Sequence, residues 1–134
     1  MQWKYIKPLK DPALISKLEQ KTGYKLPDDF TACVKNNNGG RPEHSTFNTD
    51  SSKGRAIKAL LSFNLEDRES MWQAYVWLSP ELRKRYVAFA IDNFGNLICF
   101  DRSTGCVVFI DDERLTVEQI ANSFTDFVAS LYGV

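Results

Sequence analysis

The stretch YVAFAIDNFGNLICFDRSTGCVVFID, Tyr86 to Asp111, decides the fold. Its apolar runs, Tyr86 to Asp92, Leu97 to Arg102 and Cys106 to Asp111, are separated by Asn93-Phe94-Gly95-Asn96 and by Ser103-Thr104-Gly105. Turn residues at this spacing between β-branched and aromatic runs predict three antiparallel strands in a meander. The runs are apolar at nearly every position, which implies that both faces of the sheet are covered. If the second turn pairs Asp101 with Cys106, Cys99 falls opposite Val108. Cys99 and Cys106 are then diagonal neighbours about 7–8 Å apart, too far for a disulfide.

After the meander, Thr116-x-x-Gln119 reads as a capping box. Val117, Ile120, Phe124, Phe127, Val128 and Leu131 then recur at helical spacing until Gly133. The pattern predicts a long C-terminal helix that belongs to the core.

Before the meander, Asp11 as N-cap, Pro12 at the first helical position and Gly23 as the stop frame one helix. Leu14, Ile15 and Leu18 form its apolar side. A second helix begins near Pro27, with Asp28 and Asp29 in its first turn and Phe30, Cys33 and Val34 as its buried face. Asn36-Asn37-Asn38-Gly39-Gly40 ends it, since Asn and Gly tolerate positive φ. Arg41 to Arg55 is a polar loop with at most a short strand around Ser45 to Asn48. Ile57 to Leu65 reads as a strand, with Ala59, Leu61, Phe63 and Leu65 of one parity. Glu66 to Leu78 reads as a helix, although Ala74 to Leu78 also suits a buried strand. Ser79-Pro80 breaks it, and Glu81 to Lys84 adds one turn. The elements add up to an α+β fold: an antiparallel meander packed by N-terminal helices and a long C-terminal helix.

The 134 residues suit a single domain over 1–134. Hydrophobic residues at 43% and charged residues at 25% are ordinary for a globular protein and exclude a disordered or collagen-like chain. The longest apolar run, Tyr86 to Ile91, is far short of a spanning helix. Met1 to Tyr5 holds no apolar stretch, so no secretory signal is expected and a cytosolic location is read. Lys plus Arg total 17 and Asp plus Glu total 17, which removes the simplest argument for direct nucleic-acid binding. Charge is nonetheless uneven. Six lysines lie in residues 1–25 and six acids in residues 101–126. The plainer account is two solvated faces, and the sharper one is an acidic end turned to a basic partner.

Reactive chemistry is sparse. His44 is the one histidine and lies in the polar loop. Cys33, Cys99 and Cys106 are read as free thiols without metal-ligand spacing. No nucleophile elbow, P-loop or dinucleotide glycine pattern is present. Asp92 to Asp101 superficially matches a calcium loop but has Phe94 at the third ligand position, so it reads as a hairpin turn. Trp3 and Tyr5 beside lysines read as core aromatics rather than base-stacking ones. The expectation is a protein that is not an enzyme and takes no cofactor or metal.

The order of several motifs resembles a known family. Leu26-Pro27-Asp28-Asp29-Phe30 looks like its helix start, and Asn38-Gly39-Gly40-Arg41-Pro42 like its NGG-x-P signature. Asp92-x-x-Gly95-Asn96 with Asp101 and Gly105-x-Val107 is similar to its central hairpins. Ser123-Phe124-x-x-Phe127 resembles its closing helix. This is the SMI1/KNR4 family of the SUKH superfamily, and the likeness spans nearly the whole chain. The resemblance implies an α+β domain. It further implies either a bacterial immunity protein that binds and neutralises a cognate toxin, or a regulatory interaction module linked to cell-wall synthesis. The small size favours the immunity type.

The family's motifs are structural, so the partner surface must be sought in this chain. Many such toxins act on nucleic acids through basic sites, and an acidic patch would steer toward them. Asp111, Asp112 and Glu113 are the first candidates, Glu66, Asp67 and Glu69 the second, with Trp72 or Trp77 as an anchor if exposed. The expected partner is a cognate protein toxin, with nucleases as one class. No membrane partner is expected, and the chain is expected to be a monomer or weak homodimer.

Overall fold

The computed structural model describes residues 1–133. A two-stranded ribbon pairs β1 (Trp3–Lys4) with β2 (Arg41–Pro42). The main sheet runs in chain order through β3 (Thr46–Phe47), β4 (Arg55–Leu60), β5 (Tyr86–Asp92), β6 (Leu97–Asp101), β7 (Val107–Asp111) and β8 (Thr116–Ala121). Every neighbour in it is antiparallel. Helices α1 (Ala13–Thr22) and α2 (Asp28–Asn37) precede the sheet. Helices α3 (Met71–Trp77) and α4 (Pro80–Arg83) join β4 to β5, and α5 (Phe124–Ser130) follows β8.

The meander forms as read. Every residue of β5, β6 and β7 is buried, so both faces are covered. Asp101 donates its backbone N–H to the Cys106 carbonyl, and Cys99 pairs with Val108. All three thiols are free, Cys99 buried and the other two half-buried. Burial pushes the Cys99 and Cys33 thiols up, which makes them poor nucleophiles.

One face of the sheet packs an aromatic core. Phe30 of α2 meets Phe89, Phe100 and Phe124 edge-on at 5.4, 5.2 and 5.2 Å, and Phe89 stacks on Phe100 at 4.2 Å. Phe47 of β3 reaches Phe109 of β7 at 5.6 Å although β4, β5 and β6 lie between them in the sheet. The sheet is therefore strongly curled around this cluster. On the opposite face, Leu97 pairs with Ile110 and Ile110 with Val117, beneath the segment that joins α3 to α4.

The long C-terminal helix is the main correction. Thr116 to Ala121 is a strand that extends the meander, and the helix is only the seven residues of α5. Its cap is the Ser123 side chain, which accepts the Asp126 N–H, rather than Thr116. Partnership with β7 outweighs the local helical pattern, since Val117, Glu118 and Gln119 complete backbone pairs with Ile110, Phe109 and Val108.

Smaller differences have equally local causes. The strand read from Ile57 to Leu65 ends at Leu60, because Asn38 takes over the next stretch. Asn38 is wholly buried. Its side-chain amide donates to the Lys7 carbonyl at 2.7 Å and to Ser62 Oγ at 2.9 Å, and its Oδ1 accepts the Phe63 N–H at 2.9 Å. Asn38 thus has negative φ and acts as a polar staple. Gly39 supplies the positive φ, and at Gly40 a Cβ would lie 2.9 Å from the Asn37 carbonyl. The N-cap position falls on Pro12 rather than Asp11, one residue ahead of the helix, although the Asp11 side chain accepts the Ala13 N–H at 3.0 Å. Trp3 packs on the core, but Tyr5 is 80% exposed at φ 56°.

Candidate functional site

Strands β5, β6 and β7 each end on a buried aspartate, and each caps the turn that follows. Asp92 Oδ1 accepts the Phe94 and Asn96 N–H groups, Asp101 that of Ser103, and Asp111 those of Glu113 and Arg114. Asp111 also receives Arg55 Nη2 at 3.1 Å, and the Arg55 guanidinium lies 4.5 Å over the Phe109 ring. The Arg114 N–H, with Arg55 alongside, holds the Asp111 carboxyl below the ordinary range. Burial pushes Asp101 up, but the Ser103 N–H and Arg85 outweigh it, and its carboxyl is also held low. The first candidate triplet is therefore split. Asp111 is turned inward and occupied, while Asp112 and Glu113 are exposed on opposite sides of the turn.

The second acidic group lies in the turn ahead of α3, not at a helix start. Glu66 pairs with Lys10 at 2.6 Å, and this contact lowers Glu66 and raises Lys10. Asp67 accepts Ser62 Oγ at 2.6 Å and the Asn64 amide at 3.2 Å, within the network around Asn38. Glu69 holds Lys58 Nζ at 2.8 Å. With Lys7 and Arg68 these groups line a shallow groove of mixed charge.

The two tryptophans separate cleanly. Trp72 is half-buried and donates Nε1–H to the Phe63 carbonyl at 2.8 Å, which fixes it as part of the fold. Trp77, at the end of α3, is 48% exposed and forms the wall between the charged groove and a second cleft. That cleft encloses about 390 Å³. Its floor is the Leu97–Ile110 pair, its walls are Trp77, Leu78 and Leu82, and its rim carries Ser79, Asp112 and Leu115. Helices α3 and α4 pack on β5 beside it.

Five candidate residues, Glu66, Asp67, Glu69, Trp77 and Asp112, thus line the two hollows that share Trp77. Asp111, Glu113 and Trp72 do not. Leu115, 83% exposed at φ 56°, and Phe94, 88% exposed, were missed by sequence reasoning. The available signal was a lone apolar residue inside a polar turn, Asp112-Glu113-Arg114-Leu115 and Asn93-Phe94-Gly95-Asn96, with no periodic neighbour to pack on.

His44 lies beside Gly133, and the Cys33 thiol sits on α2 against the Asn37 amide at 3.8 Å. Among the described residues no three His, Cys, Asp or Glu side chains converge to hold a metal, and no helix is long and apolar enough to cross a membrane. Among the described residues no ion pair joins the N-terminal lysines to the acids of residues 101–126.

The family model SUKH_6, described as SMI1-KNR4 cell-wall, matches residues 12–128. Comparison with curated proteins finds no match.

Proposed function

The chain belongs to the SMI1/KNR4 family, and from that premise we propose that it is an immunity-type protein that neutralises a cognate toxin of a bacterial contact-dependent or polymorphic toxin system. It acts in the cytoplasm by occlusion, with no catalysis of its own. The observation that carries the reading is Trp77, a half-exposed indole set between an apolar cleft and a charged groove. Exposed tryptophans beside desolvated pockets are the usual anchors of protein interfaces. Asp112 and Glu113, which enter no ion pair among the described residues, would attract a basic surface such as the active site of a nuclease.

The test is co-purification with the product of the neighbouring gene, followed by rescue of growth in cells that express it. Protection by the chain and its loss in Trp77→Ala support the reading. Protection that survives Trp77→Ala combined with Asp112→Lys overturns this surface as the site. A purified chain that turns over a metabolite or cleaves nucleic acid, and loses that ability on changing one polar side chain, overturns occlusion.

A regulatory or scaffolding role is the second reading, favoured by the family's description as a cell-wall family. An isolated gene with no toxin beside it, and a stable endogenous partner, would select it.

A further inference from the structure

We infer that the cleft beneath Trp77 takes one large apolar side chain of a partner protein, with a lysine or arginine directly beside it in the partner's chain. The inference rests on the protein-binding reading above and specifies the chemistry of the docking element.

Six of the side chains lining the cleft are large and apolar, and one ionisable group, Asp112, lines it with them. Among the described residues the Asp112 carboxylate enters no ion pair and accepts no hydrogen bond, while its backbone N–H is tied to Asn96 Oδ1 at 3.0 Å. The turn therefore fixes the Asp112 backbone at the mouth of the cleft, and among the described residues its carboxylate is unneutralised. A cation on the occupant completes it, and an anion is repelled. Next to Asp111, whose charge is spent on Arg55, this free charge is a separate provision.

Leu115 adds an independent argument. It holds a left-handed backbone at φ 56°, which costs a non-glycine residue about 1 kcal/mol, and its side chain is 83% exposed. The backbone is set by the hairpin turn between the paired Asp111 and Thr116, but the turn does not bury the leucine side chain. Trp77, which lines the same cleft, is also half-exposed, so two large exposed apolar groups border it. An inserted side chain buries all of these surfaces together, which is how anchor residues act.

We favour a protein side chain as the occupant because the lining offers only two polar side chains, Ser79 and Asp112, against six large apolar ones. A second copy fits poorly. A two-fold contact here sets Asp112 and Glu113 near their own copies, and the adjacent cation, Arg114, already leans on Asp111 at 4.0 Å.

The test titrates the isotope-labelled full chain with three blocked peptides, acetyl-Gly-Phe-Lys-Gly-amide and its Phe-Glu and Ala-Lys counterparts, and follows backbone and indole N–H signals. The Phe-Lys peptide is expected to shift the Trp77 indole and the Leu115 amide saturably. Loss of the ring should weaken binding about tenfold or more, and reversal of the charge about threefold or more. Asp112→Asn, at an exposed position, should abolish the preference for Lys over Glu and keep that for Phe over Ala. Equal binding of all three peptides, shifts confined to another surface, no saturable binding, or an unchanged Lys preference in Asp112→Asn would each overturn it. So would concentration-dependent dimerisation that Leu115→Ser abolishes, which assigns the cleft to a second copy. A chain that binds the Phe-Lys peptide as described but rescues no toxin retains this inference and loses the immunity reading. Rescue without peptide discrimination does the reverse.

Discussion

Asp111 and Asp112 are adjacent in sequence and opposite in use. Asp111 is one of three aspartates that close the strands of the meander, buried under its own turn and paired with Arg55. Asp112 stands at the mouth of a cleft, its carboxylate unengaged among the described residues. The same contrast holds for Trp72, bonded to the Phe63 carbonyl, and Trp77, five residues on and half in solvent. Residue type does not separate a structural group from a proposed recognition group here; what separates them is whether the fold satisfies the side chain. Substitutions on the inner side should therefore cost stability, and those on the outer side should cost binding alone.

The inner side breaks hardest at Phe30, which is fully buried among four other phenylalanines. Phe30→Ala should destabilise the protein by about 3–5 kcal/mol, read from the urea midpoint. Trp77→Ala is the outer counterpart. It should leave the unfolding free energy within about 1 kcal/mol, yet weaken the partner by roughly 2 kcal/mol or more, measured by calorimetry. A destabilised Trp77→Ala variant would show the indole to be structural and would erase the distinction.

The aspartate pair sharpens the comparison at a single peptide bond. Asp111→Ala removes the acceptor of two turn N–H groups and strands Arg55, whose Nε is already buried without a partner. It should lower the thermal midpoint by on the order of 5 °C, while Asp112→Ala should leave it nearly unchanged. Acid gives a second view. The Asp101 and Asp111 carboxyls are held below the ordinary 3.8, so the unfolded chain binds protons more readily than the folded one. Their contribution is present above that value and is lost as pH falls through the lowered folded ones. The thermal midpoint should drop steeply below about pH 4, and less steeply in Asp111→Ala.

How much of this was legible follows from where the information lies. The meander could be read to the register of Cys99 opposite Val108 because its turns are written in Asn, Gly and Ser between continuous apolar runs. The C-terminal segment misled because Val117, Ile120, Phe124 and Phe127 satisfy helical spacing across what is a strand, a two-residue break and a short helix. Only the exposed edge of β7 decides between them, and no local pattern carries that. Trp77, Asp112 and the acids of residues 66–69 were found by type. Their sorting into occupied and free was not readable, since Arg55 lies 56 residues from Asp111 and Lys10 lies as far from Glu66.

Leu115 offers the smallest effect and the sharpest discrimination. A leucine in the left-handed region is strained, whereas glycine adopts that conformation freely but has more chain entropy to lose on folding. The two terms nearly offset, so Leu115→Gly should stabilise the fold by about 0.5 kcal/mol. A structural leucine would give the opposite sign, since its removal would lose packing. If the side chain serves a partner, the same variant should bind more weakly while unfolding at a higher urea concentration. A gain in stability coupled to a loss in affinity from one substitution is the outcome that a folding role for Leu115 cannot produce.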